Sequence, residues 1–442
     1  MSRLAIMGGA KTVTSEDGDM FAWPIVNKAM EDTVVNVLRD RNMSGTDITK
    51  KFERQFADWH GMKYAVGCSS GTASIQSAMY AVGVGAGDEI IAPSITYWAS
   101  CTQALTLGAS VIFADIDPET LCIDPKDIEN RITKRTKAIV VVHYLGMPAD
   151  MDSIMAIAKK NNLKVIEDVS HAHGALYKGK IVGSFGDASG FSLMTGKAFA
   201  IGESGIMLTN DRTAYERALL LGHYERHKEI STPELSQAAG IPWGGYKYRM
   251  HQMSSAIGLE QLKKFPSEMA EINTAMNYFW DMLEGVPGLG SHRPAKDSGS
   301  TKGAWYAPHG LYKSEELGGL SVKRFCDAVS SEGSPASPGC NSALHQHPLF
   351  SSVDVYGHGR PTQNAFQSPG IDNSQDRIKL PVSDGIQERT FNIPWFKHFR
   401  KEVIEQHAKA FMKVAENYRE LLPGDEKISA GQGQWALTAR KS

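Results

Sequence analysis

A lysine stands in unusually apolar company in the run Phe191-Ser192-Leu193-Met194-Thr195-Gly196-Lys197-Ala198-Phe199. With few charges near it, its ammonium is poorly hydrated, so its pKa should fall and its amine become nucleophilic. Gly196-Lys197 invites a phosphate-loop reading, which fails. No glycine precedes Gly196 at the required spacing, and Ala198 stands where Ser or Thr is needed.

Three further groupings share the neighbourhood of strand-like runs. Ser69-Ser70-Gly71-Thr72-Ala73 follows one such run and opens a helix, whose unpaired N–H groups and positive dipole end suit a phosphate. Val165-Ile166-Glu167-Asp168 ends another run on a carboxylate, able to hold a cationic ring nitrogen or to cap the next helix. Pro93-Ser94-Ile95-Thr96-Tyr97-Trp98 sets two aromatics after a third run, able to stack on a flat cofactor or to pack between domains. Each has an ordinary structural explanation when taken alone. Together they are the parts of a pyridoxal 5'-phosphate (PLP) site. Lys197 would form the Schiff base and Asp168 would keep the pyridine nitrogen protonated. Tyr97 (or Trp98) would cover the ring, and Ser70–Ala73 with Ser192 would hold the phosphate.

The elements that must position these groups alternate. Strands are expected at 64–69, 89–93, 111–115, 138–144, 164–168, 189–193 and 205–209, each a nearly continuous apolar run, as in a parallel sheet buried on both faces. Helical stretches lie between most of them, including 73–82 and 151–161, so the chain reads as a doubly wound α/β fold. Two helices, 28–39 and 48–60, precede it, and a long one over 254–283 spans Pro266. The domain change is placed there, giving 21–265 as the large domain and 266–428 as the small one. Residues 288–303 and 330–375 read as loops, the second long enough to suspect a functional excursion. A charged amphipathic helix over 401–421 closes the fold, and the tail 429–442 is expected to be mobile.

At 442 residues the chain exceeds one ordinary hydrophobic core, and its formal net charge of -2 gives no nucleic-acid-binding footprint. The five cysteines, Cys68, Cys101, Cys122, Cys326 and Cys340, are scattered and never form a CxxC pair. That argues against a disulfide framework or zinc site and for a reducing compartment. The opening residues lack the apolar run of a signal peptide, and no apolar stretch approaches the ~20 residues of a membrane helix. A soluble cytoplasmic protein is expected. His171-x-His173 and His345-x-His347 have metal-like spacing but no evident third ligand, so no metal site is assigned.

Ordered motifs add a stronger signal: Lys51-Phe52-Glu53, Ser70-Gly71-Thr72-Ala73, Gly87-Asp88-Glu89-Ile90-Ile91-Ala92-Pro93-Ser94, Asp115-Ile116-Asp117-Pro118, Glu167-Asp168, His173-Gly174-Ala175, Gly183-Ser184-Phe185-Gly186-Asp187, Phe191-Ser192, Lys197 and Tyr246-Lys247-Tyr248-Arg249-Met250. Over about residues 23–261 the chain resembles the DegT/DnrJ/StrS family of PLP-dependent sugar aminotransferases. The resemblance implies an aspartate-aminotransferase-type fold, with a mostly parallel seven-stranded sheet and a smaller C-terminal α+β domain. It also implies a homodimer with shared active sites. By position it makes Lys197 the Schiff-base lysine, Asp168 the pyridinium partner, Thr72, Ala73 and Ser192 phosphate binders beside Ser70 and Gly71 of the same turn, and Tyr97 (with Trp98 the alternate) the stacking ring. His171 stands where many members have a glutamine near the cofactor's phenolic oxygen. Lys247 replaces an asparagine that reaches the partner's cofactor phosphate. Beyond residue 261 the likeness thins to His345-Gln346-His347-Pro348-Leu349-Phe350 and Asn392-Ile393-Pro394-Trp395-Phe396, loosely like the cyclitol or aminosugar branch.

The expected reaction moves an amino group from glutamate or glutamine to a keto-sugar, nucleotide-linked keto-sugar or cyclitol ketone. A PLP-dependent sugar dehydratase is one alternative, but dehydratases of the family carry histidine in place of the lysine. A non-catalytic PLP-binding regulator is another, although the parts for chemistry are all present. A dinucleotide oxidoreductase lacks its glycine turn, since Gly83-x-Gly85-x-Gly87 comes before a strand.

Overall fold

The continuous apolar runs become the central sheet of a computed structural model that describes residues 3–425. Its strands are β1 (Tyr64–Cys68), β2 (Glu89–Pro93), β3 (Ser110–Ala114), β4 (Thr136–Val142), β5 (Lys164–Asp168), β6 (Ala188–Ser192) and β7 (Gly205–Thr209), in the order β1-β7-β6-β5-β4-β2-β3. The β2–β3, β2–β4, β4–β5 and β5–β6 pairs are parallel, whereas β7 runs antiparallel to both β1 and β6. Alternation along each strand feeds two cores. Ile91, Ile139, Val141 and Val165 face one, and Ile90, Ala92, Val140 and Ile166 face the other. The expected strands are all present, with ends shifted by up to two residues.

Three helices enter from the N-terminal side: α1 (Lys28–Arg39), α2 (Asp47–His60) and α3 (Gly71–Ala81). Helix α3 begins two residues earlier than the apolar pattern suggests. Ser70 is its cap, accepting the Ala73 N–H at 3.1 Å, which draws Gly71 and Thr72 into the first turn. α3 packs against β6, β7 and α5 (Arg212–Gly222), with α4 (Met151–Asn161) preceding β5. Helix α6 (Gln252–Met282) runs unbroken through Pro266 and packs on α1 and α2 and, further along, on the helix over Lys401–Glu416.

The smaller C-terminal domain has an antiparallel sheet of β8 (Leu289–Ser291), β9 (His309–Tyr312) and β10 (Thr390–Asn392), with α7 (Val322–Ser331) and α8 (Lys401–Glu416) packed beside it. The N-terminal segment ties onto this domain. Ala5 and Thr12 donate to the Glu332 carboxylate, and the Lys397 N–H donates to Met20 O. The segment read as a loop over 330–375 divides its work. Its early residues reach the carboxyl edge of the large sheet, while Gln363 and Gln375 seal the edge strand β3. The Gln363 side chain bonds both Val111 N and Val111 O, and Gln375 Oε1 accepts Phe113 N–H at 3.0 Å. Exposed strand edges invite pairing with other chains, and these amides occupy the free groups. The tail at 429–442 lies outside the described residues. Among the described residues no helix is long and apolar enough to cross a membrane.

Candidate active site

Parallel strands end at a common edge, and here that edge carries chemistry. Asp168, the last residue of β5, pairs in register with Val142 of β4 and Gly190 of β6, two residues before Ser192. The N-terminus of α3 approaches the same edge so closely that a Cβ on Gly71 would lie 2.5 Å from Ser192 Cβ. Only glycine permits that approach. Between these elements and the small domain lies a cavity of about 600 Å³.

Lys197 lies on its wall with 8% of its surface exposed. Its N–H donates to Met194 O at 2.7 Å, and its carbonyl accepts the Trp23 indole N–H at 2.8 Å, so the backbone is held from both sides. Burial brings the amine down to about 8, opposed in part by the Asp168 carboxylate. Its Nζ stands 4.2 Å from the centroid of the Tyr306 ring.

Asp168 is buried and doubly held. Oδ2 accepts the Ser100 hydroxyl at 2.7 Å, and Oδ1 accepts the Ser170 N–H at 3.0 Å. Ser100 in turn contacts the Thr96 hydroxyl at 2.8 Å. The adjacent Glu167 points elsewhere. It accepts His143 Nε2 and the N–H groups of Gly183, Phe185 and Gly186, and thereby ties the turn before β6 to β5. His171 is neutral, held well below the usual imidazole range by burial and then by the Lys197 charge. Its Nδ1 accepts the Leu145 N–H at 3.3 Å, which fixes the ring nitrogen that carries no proton.

Of the sequence-derived residues, Ser70, Gly71, Thr72, Tyr97, Asp168, His171, Ser192 and Lys197 line this cavity. Ala73 lies behind it, its N–H engaged by Ser70. Lys247 lies outside it on an exposed stretch, its Nζ 5.8 Å from the Tyr224 ring. Trp98 packs on Tyr97 at 4.8 Å without lining the cavity. His173 is buried against Phe191 and Phe199, and His345 bonds Ser94 and Asp384. Burial lifts the Cys68 and Cys122 thiols to about 12, so both are packing groups.

Sequence reasoning missed Ser100, Tyr144, Tyr306 and Asn341, all of them on the cavity wall. Tyr306 is turned there by two left-handed non-glycine neighbours, Trp305 (φ 58) and Ala307 (φ 45), a strained backbone of the kind that collects at functional sites. No local motif announces it. The 330–375 segment reads from the sequence as a long polar loop with no residue marked for the site, and its residues 337–341 complete the cavity.

PLP asks for a nucleophilic amine, a phosphate cradle, an acid at the ring nitrogen and a flat slot. The buried Lys197 amine, the Gly71 gap at a helix N-terminus, the doubly held Asp168 and the Tyr97 and Tyr306 rings fit that demand.

Known proteins agree with this chemistry. The model of the DegT/DnrJ/EryC1/StrS aminotransferase family matches residues 24–368. An L-glutamine:2-deoxy-scyllo-inosose aminotransferase of Micromonospora echinospora is 30% identical, over 95% of this chain and 100% of its own length. A GDP-perosamine synthase of Escherichia coli O157:H7 is 39% identical over 54% of this chain and 62% of its own. The solved structure of an aminotransferase from Psychrobacter cryohalolentis superposes with a TM-score of 0.76 at 28% identity, covering 90% of this chain and 99% of that one. The chain belongs to the DegT/DnrJ/EryC1/StrS aminotransferase family and is a PLP-dependent aminotransferase.

Proposed function

We propose that the enzyme moves the amino group of glutamine or glutamate onto the ketone carbon of a sugar or cyclitol, with Lys197 as cofactor-binding and proton-moving residue. The observation that carries this reading is the Lys197 amine, buried in the cavity, brought down to about 8, and set between Asp168 and Tyr306. The acceptor class is supported by the named activities of the relatives, one acting on an inosose with glutamine and one a GDP-perosamine synthase.

Bound PLP supplies an electron-withdrawing ring that carries the amino group between the two substrates. The chain's residues then divide the remaining tasks. The first turn of α3, with Ser70, Gly71 and Thr72 at its mouth, Ala73 closing the cap and Ser192 beside it, binds the phosphate. Asp168 holds a proton at the ring nitrogen, and Ser100 and Ser170 keep its two oxygens in place. Tyr97 would cover one face of the ring, and neutral His171 would serve the phenolic oxygen. Lys197 Nζ, brought down to about 8 by burial, would both accept a proton from the substrate carbon and return it, as a general acid–base must.

The assembly proposed is a homodimer in which Lys247 of the partner subunit reaches the cofactor phosphate. In support, Lys247 is exposed, lies outside its own cavity, and follows the exposed Ile241 and Trp243. A cytoplasmic location is supported by five free cysteines. The proposed units are 21–265, which binds the cofactor, and 266–428, which completes the acceptor wall; α6 runs through the boundary, and residues 426–428 lie outside the described residues.

The test is spectroscopic. Glutamine or glutamate added to the PLP-loaded enzyme should convert the cofactor to its aminated form, and a keto-sugar or inosose should reverse the change. An absorbance that no amino acid alters contradicts the reading.

A further inference from the structure

Lys397 is 3% exposed and pairs with no carboxylate among the described residues. Its amine sits in an aromatic slot instead. Nζ stands 3.0 Å from the centroid of the Trp395 ring and 5.3 Å from that of Trp23, and the two indoles lean together at 5.5 Å and 40°. Burial pushes the amine down to about 6. A methionine of similar length would fill this slot without stripping an amine of its water for partners weaker than a carboxylate. Departures of this kind collect where function needs them.

What the two indoles hold supplies the need. Trp23 Nε1–H donates to the Lys197 carbonyl at 2.8 Å. Trp395 Nε1–H donates to Ala304 O at 3.0 Å, two residues before Tyr306, and the Trp395 ring meets the Tyr306 ring edge-on at 5.8 Å. Trp23 thus fixes the backbone of the reactive lysine, while Trp395 fixes the ring that covers its tip. Lys397 touches both indoles, and its own backbone N–H donates to Met20 O at 3.0 Å, three residues before Trp23. An N–H aimed at a ring, on an ammonium or on a neutral amine, is drawn to the negative face. It therefore sets the tilt of an indole, which a non-directional apolar contact does not.

We infer that Lys397 is a positioning residue for Lys197, holding the Trp23 and Trp395 indoles and, through them, the backbone and the ring cover of the reactive amine. It lies outside the wall of the active-site cavity and so acts without touching cofactor or substrate. This role rests on the reading above that Lys197 bears the cofactor.

Lys397→Met keeps the stem and removes the amine. The full-length variant is compared with wild type in thermal unfolding, in PLP binding by fluorescence titration, and in the pH midpoint of Lys197 acylation without cofactor. Its melting temperature should be at or above that of wild type, because a costly buried amine is gone. PLP should bind about three- to tenfold more weakly, the scale of one lost ring contact. The acylation midpoint should rise above about 8, because loosened rings admit water. The titratable groups that face Lys197 (Asp168, His171, His173 and Tyr306) all remain in the variant. Combined with Trp23→Phe, which removes the indole N–H, the loss of PLP affinity should fall short of the product of the two single losses. A lower melting temperature or a variant that does not fold assigns Lys397 to packing and overturns the inference. Unchanged PLP affinity, an unmoved midpoint, or losses that simply multiply overturn it as well. Borohydride trapping of the wild-type cofactor on another lysine would instead remove the reading that Lys197 bears it.

Discussion

Lys197 Nζ lies 4.2 Å from the centroid of the Tyr306 ring, and the same ring stands 4.7 Å from His171 and 5.8 Å from Trp395. One small-domain tyrosine therefore covers the reactive amine and packs on the histidine beside it. Two opposed effects act on that amine. The ring face favours the ammonium by about 0.5–2 kcal/mol, while burial has moved it from the ordinary 10.5 to about 8, worth about 3 kcal/mol. Burial wins.

Tyr306→Ala should therefore let water in and raise the Lys197 pKa, whereas Tyr306→Phe, which keeps the ring, should leave it near the wild-type value. The rate of lysine modification by a small acylating reagent, followed against pH in the cofactor-free protein, reads the midpoint directly. A downward shift in Tyr306→Ala would show that the ring's attraction, and not its cover, sets the amine.

The same depression makes stability depend on pH. A lysine with a lowered folded-state pKa binds fewer protons folded than unfolded, so stability rises with pH between about 8 and 10.5 and is lost as pH falls through 8. Lys302, brought by burial to about 7, and Lys397, to about 6, act in the same direction over wider windows. Urea titrations of the cofactor-free protein at pH 7.5 and at pH 10 should show Lys197→Met removing about 2 kcal/mol of that rise. An equal pH dependence in variant and wild type would mean that Lys197 is not buried in this way.

Gly71→Ala sets a methyl group against Ser192. The contact, 2.5 Å to Cβ and 2.7 Å to Cα, involves backbone on both sides and cannot relax through a flexible side chain. A cost of about 1–3 kcal/mol is expected, with at least tenfold weaker PLP binding by fluorescence titration. Unchanged affinity would place the phosphate elsewhere.

Ser100→Ala removes the hydroxyl on Asp168 Oδ2, a charge-assisted bond worth about 1.5–3 kcal/mol. The held ring-nitrogen proton should weaken, and turnover should fall on the order of tenfold with little change in PLP affinity. Asp168→Asn should cost on the order of a hundredfold or more, by analogy with the loss of one preorganised polar group at a reacting centre.

Gln363 and Gln375 act far from the chemistry. The double Gln363→Ala, Gln375→Ala variant strips partners from backbone groups of β3, and each buried group left unsatisfied costs about 1–3 kcal/mol. Light scattering on warming should reveal earlier aggregation, while turnover of the soluble fraction stays close to wild type. A loss of turnover without aggregation would mean that this part of the segment serves the site.

The large sheet was legible because its strands are buried on both faces, so Ile90-Ile91-Ala92 and Val140-Val141-Val142 show as uninterrupted apolar runs. Lys197, Asp168 and Gly71 were legible for another reason. They sit within a few residues of strand ends, where an α/β sheet presents its ligands. Ser100 and Tyr306 were not, because their partners lie 68 and 109 positions away in the chain. Only the strand order, and the fold of the small domain over the sheet edge, bring them in. The segment 330–375 carries few apolar residues because it works through side-chain amides and backbone, which leave no hydrophobic period to read.

The central claim is that Lys197 is the residue that holds the cofactor. Borohydride treatment of the PLP-loaded enzyme fixes the cofactor to whichever amine bears it, and peptide mass mapping then locates the added mass. The account predicts it on Lys197, and its absence from Lys197→Ala treated in the same way. Attachment at Lys302, Lys397 or any other lysine in the wild-type enzyme would contradict it.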